Sequence, residues 1–292
     1  MTAGVAVDTA IEPMGSTLPE IPAEFGFSGS RGQDQQRSPA SRVVVLLPAL
    51  NEEGAIGHVI HQIPRRDLER SGYDVSVVVV DGHSSDATRE IAVRRGASVF
   101  VQGGNGKGNA VRQAIRHLIC PEAHGFGPPG KRCFFLMMDA DGTYPPQRVE
   151  ALVHALEAGY DVVLGSRFLG RVEDGAISGM NRLGNRFLSA FARFLFQAPV
   201  SDVCTGMWGF SESFLQRSKL MANGFDLEAD IFASACSQEA RIAEVAVDYR
   251  RRIGEPKLVP IRAGFVIAWC LFKRWLGNGA SAGETSLRPG RR

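Results

Sequence analysis

Three stretches of this chain are apolar at every position: Val43 to Leu47, Val77 to Val80 and Phe134 to Met138. None alternates with polar residues, so as strands they are hydrophobic on both faces and need cover on both sides. Each is followed by a polar turn and then by a stretch of helical character. Strand, turn and helix repeated in this order predict an α/β fold, a mostly parallel sheet with helices on both faces. With 292 residues and 44% hydrophobic content, the chain is large enough for one such domain with a sizeable core. Ligands of these sheets bind beyond the carboxyl ends of the strands. Asn51, Glu52, Asp81, Lys107, Asp139, Asp141 and Arg167 all fall at or just past expected strand ends, so they are expected to converge on one rim.

The first strand is expected to end at Pro48, with a helix from Glu52 onward. The second, "VSVVVV", leads to a helix that Ser85 or Asp86 caps and Gly96 stops. "ASVFVQ" is a third strand, "DVVLGSRF" a fifth after the apolar run at Phe134, and "IAEVAVDY" a later one. Residues 1–41, rich in Pro, Gly, Ser and Gln without a period, read as a disordered lead-in, 42–257 as the globular domain and 258–292 as a basic and apolar tail. A formal net charge of +2 argues against nucleic acid as a partner. Basic residues are nevertheless concentrated after Arg250, opposed only by Glu255 and Glu284, and this zone suits phosphate or an anionic membrane surface. The five cysteines are far apart and make no C-x-x-C pair, as expected for reduced cytosolic thiols. No secretory signal is evident at the N-terminus. "AGFVIAWCLF" is about half of the ~20 residues a spanning helix requires, so it is expected to lie on a membrane and not to cross one.

The chemistry-bearing motif is "FFLMMDADGTYPP". A D-x-D at a strand end lets Asp139 and Asp141 reach one Mg²⁺ or Mn²⁺, with water and phosphate oxygens completing the shell; the plain alternative is a solvated turn at Asp141-Gly142. "GGNGKGNA" lacks both the spacing and the Ser/Thr of a P-loop, and its glycines do not make the dinucleotide pattern. What remains is a tight turn at a helix N-terminus, with Lys107 either facing a diphosphate or solvated. In "NRLGNRFLSAFARFLF", Leu183, Phe187, Phe191 and Leu195 form one stripe and Arg182, Arg186, Ser189 and Arg193 another. That stripe is either core or one face of an interfacial helix. No Ser-His-Asp or Cys-His ordering is present.

Taken in order, "LLPALNEE", "VVVVDGHSSDAT", "GKGNA", "LMMDADGTYPP", "GSRF" and "YRRRIGEPKL" resemble a family-2 glycosyltransferase of the Rossmann-like GT-A fold. Within it the chain is most similar to the dolichyl- and polyprenyl-phosphate hexose synthases, of the dolichol-phosphate mannose synthase type, over about Arg42 to Leu258. The resemblance implies an inverting transfer of a hexose from UDP-glucose, UDP-GlcNAc or GDP-mannose to a polyprenyl or dolichyl phosphate. Its setting is the cytoplasmic face of a membrane, reached through C-terminal amphipathic helices. It also implies a nucleotide-sugar site of Pro48, Ala49, Asn51, Glu52, Asp81, Lys107, Asp139, Ala140, Asp141, Arg167, Arg251 and Lys257. Arg251 or Arg252 completes the catalytic set of Asp139, Asp141 and Arg167; one residue of register separates the two. Arg182, Asn185 and Glu228 are placed at the acceptor phosphate, and Thr143 beside Asp139 and Asp141 at the metal. The chain departs from the family pattern at Leu50, Gly82, Thr143 and Pro256, which stand where an aromatic, a second acid, a glutamine and a serine are usual. Other readings are a soluble transferase of the same fold using a peptide, saccharide or secondary-metabolite acceptor, or a non-catalytic nucleotide-binding module. Self-association stays open.

Overall fold

In the computed structural model the described residues are 41–119, 132–254 and 260–285. The expected lead-in, apart from Ser41, lies outside them, as do Lys257 and the end of the tail.

Seven strands form one sheet in the order β3-β2-β1-β4-β6-β5-β7. They are β1 (Ser41–Ala49), β2 (Tyr73–Asp81), β3 (Ser98–Val101), β4 (Arg132–Met138), β5 (Val162–Ser166), β6 (Met207–Ser211) and β7 (Ile242–Ala246). All pairings are parallel except those of β6, which runs antiparallel between β4 and β5. The mostly parallel α/β expectation therefore holds. β6 carries no run of β-branched residues and is broken by Gly209, over which Leu136 and Leu156 pack, so its sequence gives little sign of a strand. β1 does not stop at Pro48 but continues to Ala49. Its pairing with β4 ends at Leu46, so the missing Pro48 N–H falls where that flank is already open.

The described helices are α1 (Glu53–Gln62), α2 (Arg65–Arg70), α3 (Thr88–Arg94), α4 (Lys107–Ile119), α5 (Val149–Glu157), α6 (Gly179–Phe196), α7 (Glu212–Arg217), α8 (Leu227–Ser237) and α9 (Pro260–Thr285). Successive residues of one strand serve opposite layers, as their pleat requires. Val44, Leu46, Phe135 and Met137 join a core with Val111, Leu188, Phe232 and Leu271, while Val43, Val45, Leu47, Phe134 and Leu136 join a second with Ile56, Ala92 and Val153. This two-sided burial is why the runs are uniformly apolar. Gly96, at φ +76°, ends the α3 turn as expected, and Asp86 Oδ1 accepts the Thr88 N–H at 3.0 Å.

The stripe on α6 is rotated from its expected position. Leu188, Ser189, Ala192 and Leu195 face inward, Phe191 is partly buried, and Leu183 and Phe187 are exposed. Only the C-terminal half of α6 rests on the core. α9 behaves similarly: Ile267, Cys270 and Leu271 are buried, whereas Ile261, Phe265, Val266 and Trp269 are exposed. Among the described residues no helix is long and apolar enough to cross a membrane.

Candidate active site at the carboxyl rim

Parallel register brings the strand ends level. Ala49 pairs with Asp81 across β1 and β2, and Asp139 and Arg167 directly follow β4 and β5. Asp139 donates its N–H to the Gly206 carbonyl at 3.1 Å, and its carboxylate lies against the same glycine. A Cβ on Gly206 would stand 2.0 Å from Asp139 Oδ2, so only glycine leaves the carboxylate this place.

Asp139 Oδ1 accepts Lys107 Nζ at 2.6 Å, and the same ammonium reaches Glu228 Oε1 at 2.6 Å. Lys107 opens α4, and the glycines beside it have no room for a side chain: a Cβ on Gly106 would meet the Asn223 carbonyl at 2.2 Å and one on Gly108 the Ala222 carbonyl at 2.5 Å. The G-K-G turn is thus fixed on the segment before α8, whose first turn carries Glu228. Burial works against the Lys107 charge, yet Asp139 and Glu228 together hold its pKa above the ordinary lysine value. Burial pushes the Glu228 carboxyl up, with Lys107 opposing.

Asp141 is held from three sides. Its Oδ1 accepts the Thr143 N–H at 3.0 Å and the Thr143 hydroxyl at 2.6 Å, and its Oδ2 lies 3.1 Å from Arg252 Nη1. Arg252 Nη2 also donates to Glu52 Oε1 at 2.5 Å, while its Nε is buried without a hydrogen-bond partner among the described residues. The arginine segment is bound to the D-x-D turn by its backbone: Arg250 N–H donates to the Thr143 carbonyl and Ile253 N–H to that of Asp141. Gly142, at φ +79°, lies under the Ile253 side chain. Arg251 points elsewhere, its Nε donating to the Asp174 carbonyl at 2.7 Å. Of the two candidate arginines, Arg252 is the one at Asp141.

Arg167 is buried in a bidentate pair with Asp202, at 2.6 and 2.7 Å, and also donates to the Cys204 carbonyl. Its guanidinium lies 5.3 Å from the ring centre of Tyr249 and 5.9 Å from that of Phe168. Phe168 in turn carries Arg186 of α6 at 5.6 Å. Asp81 is fully buried and accepts the N–H groups of His83 and Ser84, at 3.0 and 3.1 Å, from its own turn. Asn51, at φ +49°, ties the β1 loop to that turn by accepting the Ser85 N–H and donating its own to Ser84 Oγ. Pro48 and Ala49 end β1, and buried Ala140 separates the two aspartates. Arg182 and Asn185 stand in the first turns of α6, exposed and half-buried.

The structure thus forms two groups at the D-x-D turn, Lys107 with Asp139 and Glu228, and Arg252 with Asp141 and Glu52, and keeps Arg251 out of both. Three participants are absent from the sequence reading. Asp202 carries no motif, Tyr144 lies within the D-x-D motif but its hydroxyl, which accepts the Gly206 N–H at 2.6 Å, has no signal there, and Gly206 is recognisable only once its distance to Asp139 is known. The donor set at Asp139 and Asp141 is hard oxygen, which suits Mg²⁺ or Mn²⁺. Among the described residues no three His, Cys, Asp or Glu side chains gather as a closed metal cage, so remaining ligands would come from substrate oxygens and water.

The family described as glycosyl transferase family 2 matches residues 44–218. The chain is 34% identical over 236 residues to glycosyltransferase AglJ of Haloferax volcanii, covering 80% of this chain and 71% of that protein. It is likewise 34% identical to the dolichyl-phosphate hexose transferase of the same organism, covering 79% of this chain and 92% of that one. Identity to the polyprenol monophosphomannose synthase of Mycolicibacterium smegmatis is 25%, over 75% of this chain and 82% of that protein. Among solved structures, glucosyl-3-phosphoglycerate synthase of Mycobacterium tuberculosis, in complex with Mn²⁺ and UDP-glucose, shares the fold at a TM-score of 0.59 and 21% identity, over 80% of this chain and 79% of that one.

Proposed function

The chain belongs to glycosyl transferase family 2, and from that premise we propose that it moves a hexose from a nucleoside-diphosphate sugar to a polyprenyl phosphate at a membrane surface. The observation that carries this reading is the rim cluster, where the two D-x-D carboxylates meet Lys107 and Arg252. Relatives named for dolichyl phosphate and polyprenol support the acceptor.

In the proposed reaction an acceptor phosphate oxygen forms a bond to the anomeric carbon while the bond from that carbon to the diphosphate breaks, with inversion. The acceptor is already ionised near neutral pH, so it needs positioning more than a general base. Mg²⁺ or Mn²⁺ on Asp139 and Asp141, with Thr143 orienting Asp141, would supply charge neutralisation for the departing diphosphate. Lys107 and the Arg252 guanidinium offer phosphate donors. Asp81, with Pro48, Ala49, Asn51 and Ala140, would read the base and ribose, and Lys257, outside the described residues, would add a contact to the nucleotide sugar. Arg167, stiffened by Asp202, together with Arg182, Asn185 and Arg186 would position the acceptor phosphate.

Membrane association rests on the exposed apolar residues of α6 and α9, Met180, Leu183, Phe187, Ile261, Phe265 and Trp269, interleaved with Arg182, Arg186 and Arg262. The site would then work from the cytoplasmic side.

The test is a panel of UDP-glucose, UDP-GlcNAc and GDP-mannose with a short polyprenyl phosphate, product being read by mass spectrometry. One donor is expected to give a polyprenyl-phosphate hexose, and Asp139→Ala and Asp141→Ala to abolish it in folded protein. Near-normal turnover of either variant after chelator washing rules out the metal assignment. Transfer to a soluble saccharide or peptide, with no lipid product, replaces the acceptor reading.

A further inference from the structure

Each D-x-D carboxylate shares its cation with a second, buried carboxylate. Lys107 lies between Asp139 and Glu228, and Arg252 between Asp141 and Glu52. The side chains of Glu228 and Glu52 are 10% and 8% exposed, and that of Asp139 is 31% exposed, open to the rim. The two arrangements come from unrelated parts of the chain, α4 with α8 and the segment after β7 with the residue before α1.

We infer that Glu228 and Glu52 are positioning residues that retain Lys107 and Arg252, so that these cations can leave Asp139 and Asp141 when a divalent ion loads there. This rests on the metal reading above. A buried ammonium whose partner is taken away is left uncompensated, which typically costs several kcal/mol. A second carboxylate already at 2.6 Å removes that barrier, because Lys107 exchanges two partners for one and not one for none. The backbone fixes the geometry on both sides. Gly106 and Gly108 press the Lys107 backbone onto residues 222–223, and the Asp139 backbone is tied by its N–H to the Gly206 carbonyl. A purely structural ion pair would need neither the second carboxylate nor the solvent-facing side of Asp139.

The test is Mn²⁺ binding to the full chain, followed by electron paramagnetic resonance of free Mn²⁺, without nucleotide and with UDP or GDP. Lys107→Met is expected to tighten Mn²⁺ binding about tenfold without nucleotide by removing the competing cation, and Glu228→Gln to weaken it about tenfold by leaving Lys107 on Asp139 alone. Because Glu228 acts through Lys107, Glu228→Gln should change affinity less than about threefold in the Lys107→Met background. An equal tenfold loss in both backgrounds marks a general field effect and overturns the inference. So does a wild-type affinity that neither single variant changes. Near-ultraviolet circular dichroism checks folding; if a Lys107 or Glu228 variant is misfolded, the Arg252→Met and Glu52→Gln cycle makes the same measurement at Asp141. Wild-type protein that binds no Mn²⁺ with UDP or with GDP removes the metal reading and this inference with it, a result distinct from binding that the variants leave unchanged.

Discussion

At the scale of single residues, the most exacting contact is the one without a side chain. Gly206 supports the Asp139 carboxylate so closely that one added methyl displaces it, and Gly206→Ala is expected to reduce kcat/KM by at least about 10²-fold, in line with misplacing a catalytic group by about 1 Å. Steady-state kinetics, with circular dichroism to show retained fold, checks this. Glu244 offers a pH test. Burial raises its carboxyl pKa, against the lowering effect of the Ser201 N–H and hydroxyl bonds at 2.9 Å. An acid whose folded pKa is raised binds its proton more tightly when folded, so its charged form destabilises. That penalty is absent below the ordinary glutamate range and complete above the raised folded value. Glu244→Gln keeps the accepting oxygen and discards the charge, so it should equal or exceed wild-type stability at pH 8, with the gain shrinking toward pH 4.5; urea melts at both values decide. Asp139 and Asp141 were legible in the sequence because an apolar run that ends on two carboxylates is chemically odd. Asp202 and Gly206 were not, since a buried partner and a missing methyl acquire meaning only from what stands opposite them.

At the scale of elements, β1, β2 and β4 could be read directly because both their faces are buried. β6 could not, because it carries no run of β-branched residues and is broken by Gly209. The arginine segment after β7 was recognisable as a cluster, but its register was settled by backbone bonds from Arg250 and Ile253 to the D-x-D turn, which no side-chain pattern encodes. Those bonds turn Arg252 inward and Arg251 toward Asp174. Accordingly Arg252→Ala should lower kcat/KM by about 10²-fold, as expected for loss of a group stabilising transition-state charge, while Arg251→Ala should change it less than about fivefold. Comparable losses in the two variants would falsify this orientation.

For the whole molecule, α9 is both a core element and the source of exposed apolar surface. Arg274 pairs with fully buried Asp230, whose carboxylate also accepts the Met221 and Ala222 N–H groups. Arg274→Met leaves that carboxylate without its cation and is expected to cost about 3–5 kcal/mol in urea unfolding. Removing α9 therefore does not isolate its surface role, and point charges do. Phe265→Glu with Trp269→Glu should abolish flotation with anionic liposomes while leaving the melting temperature within about 2 °C, because both side chains are exposed. Unchanged flotation would place membrane contact elsewhere.

The pairing of Arg252 with Glu52 spans 200 positions of the chain. A ribosome has therefore released Glu52 and Asp141 long before their shared cation is made. Lys107 likewise waits for residues 222–224 to press its turn into place. A product terminated before Arg252 would therefore carry Asp141 and Glu52 without the cation that pairs them.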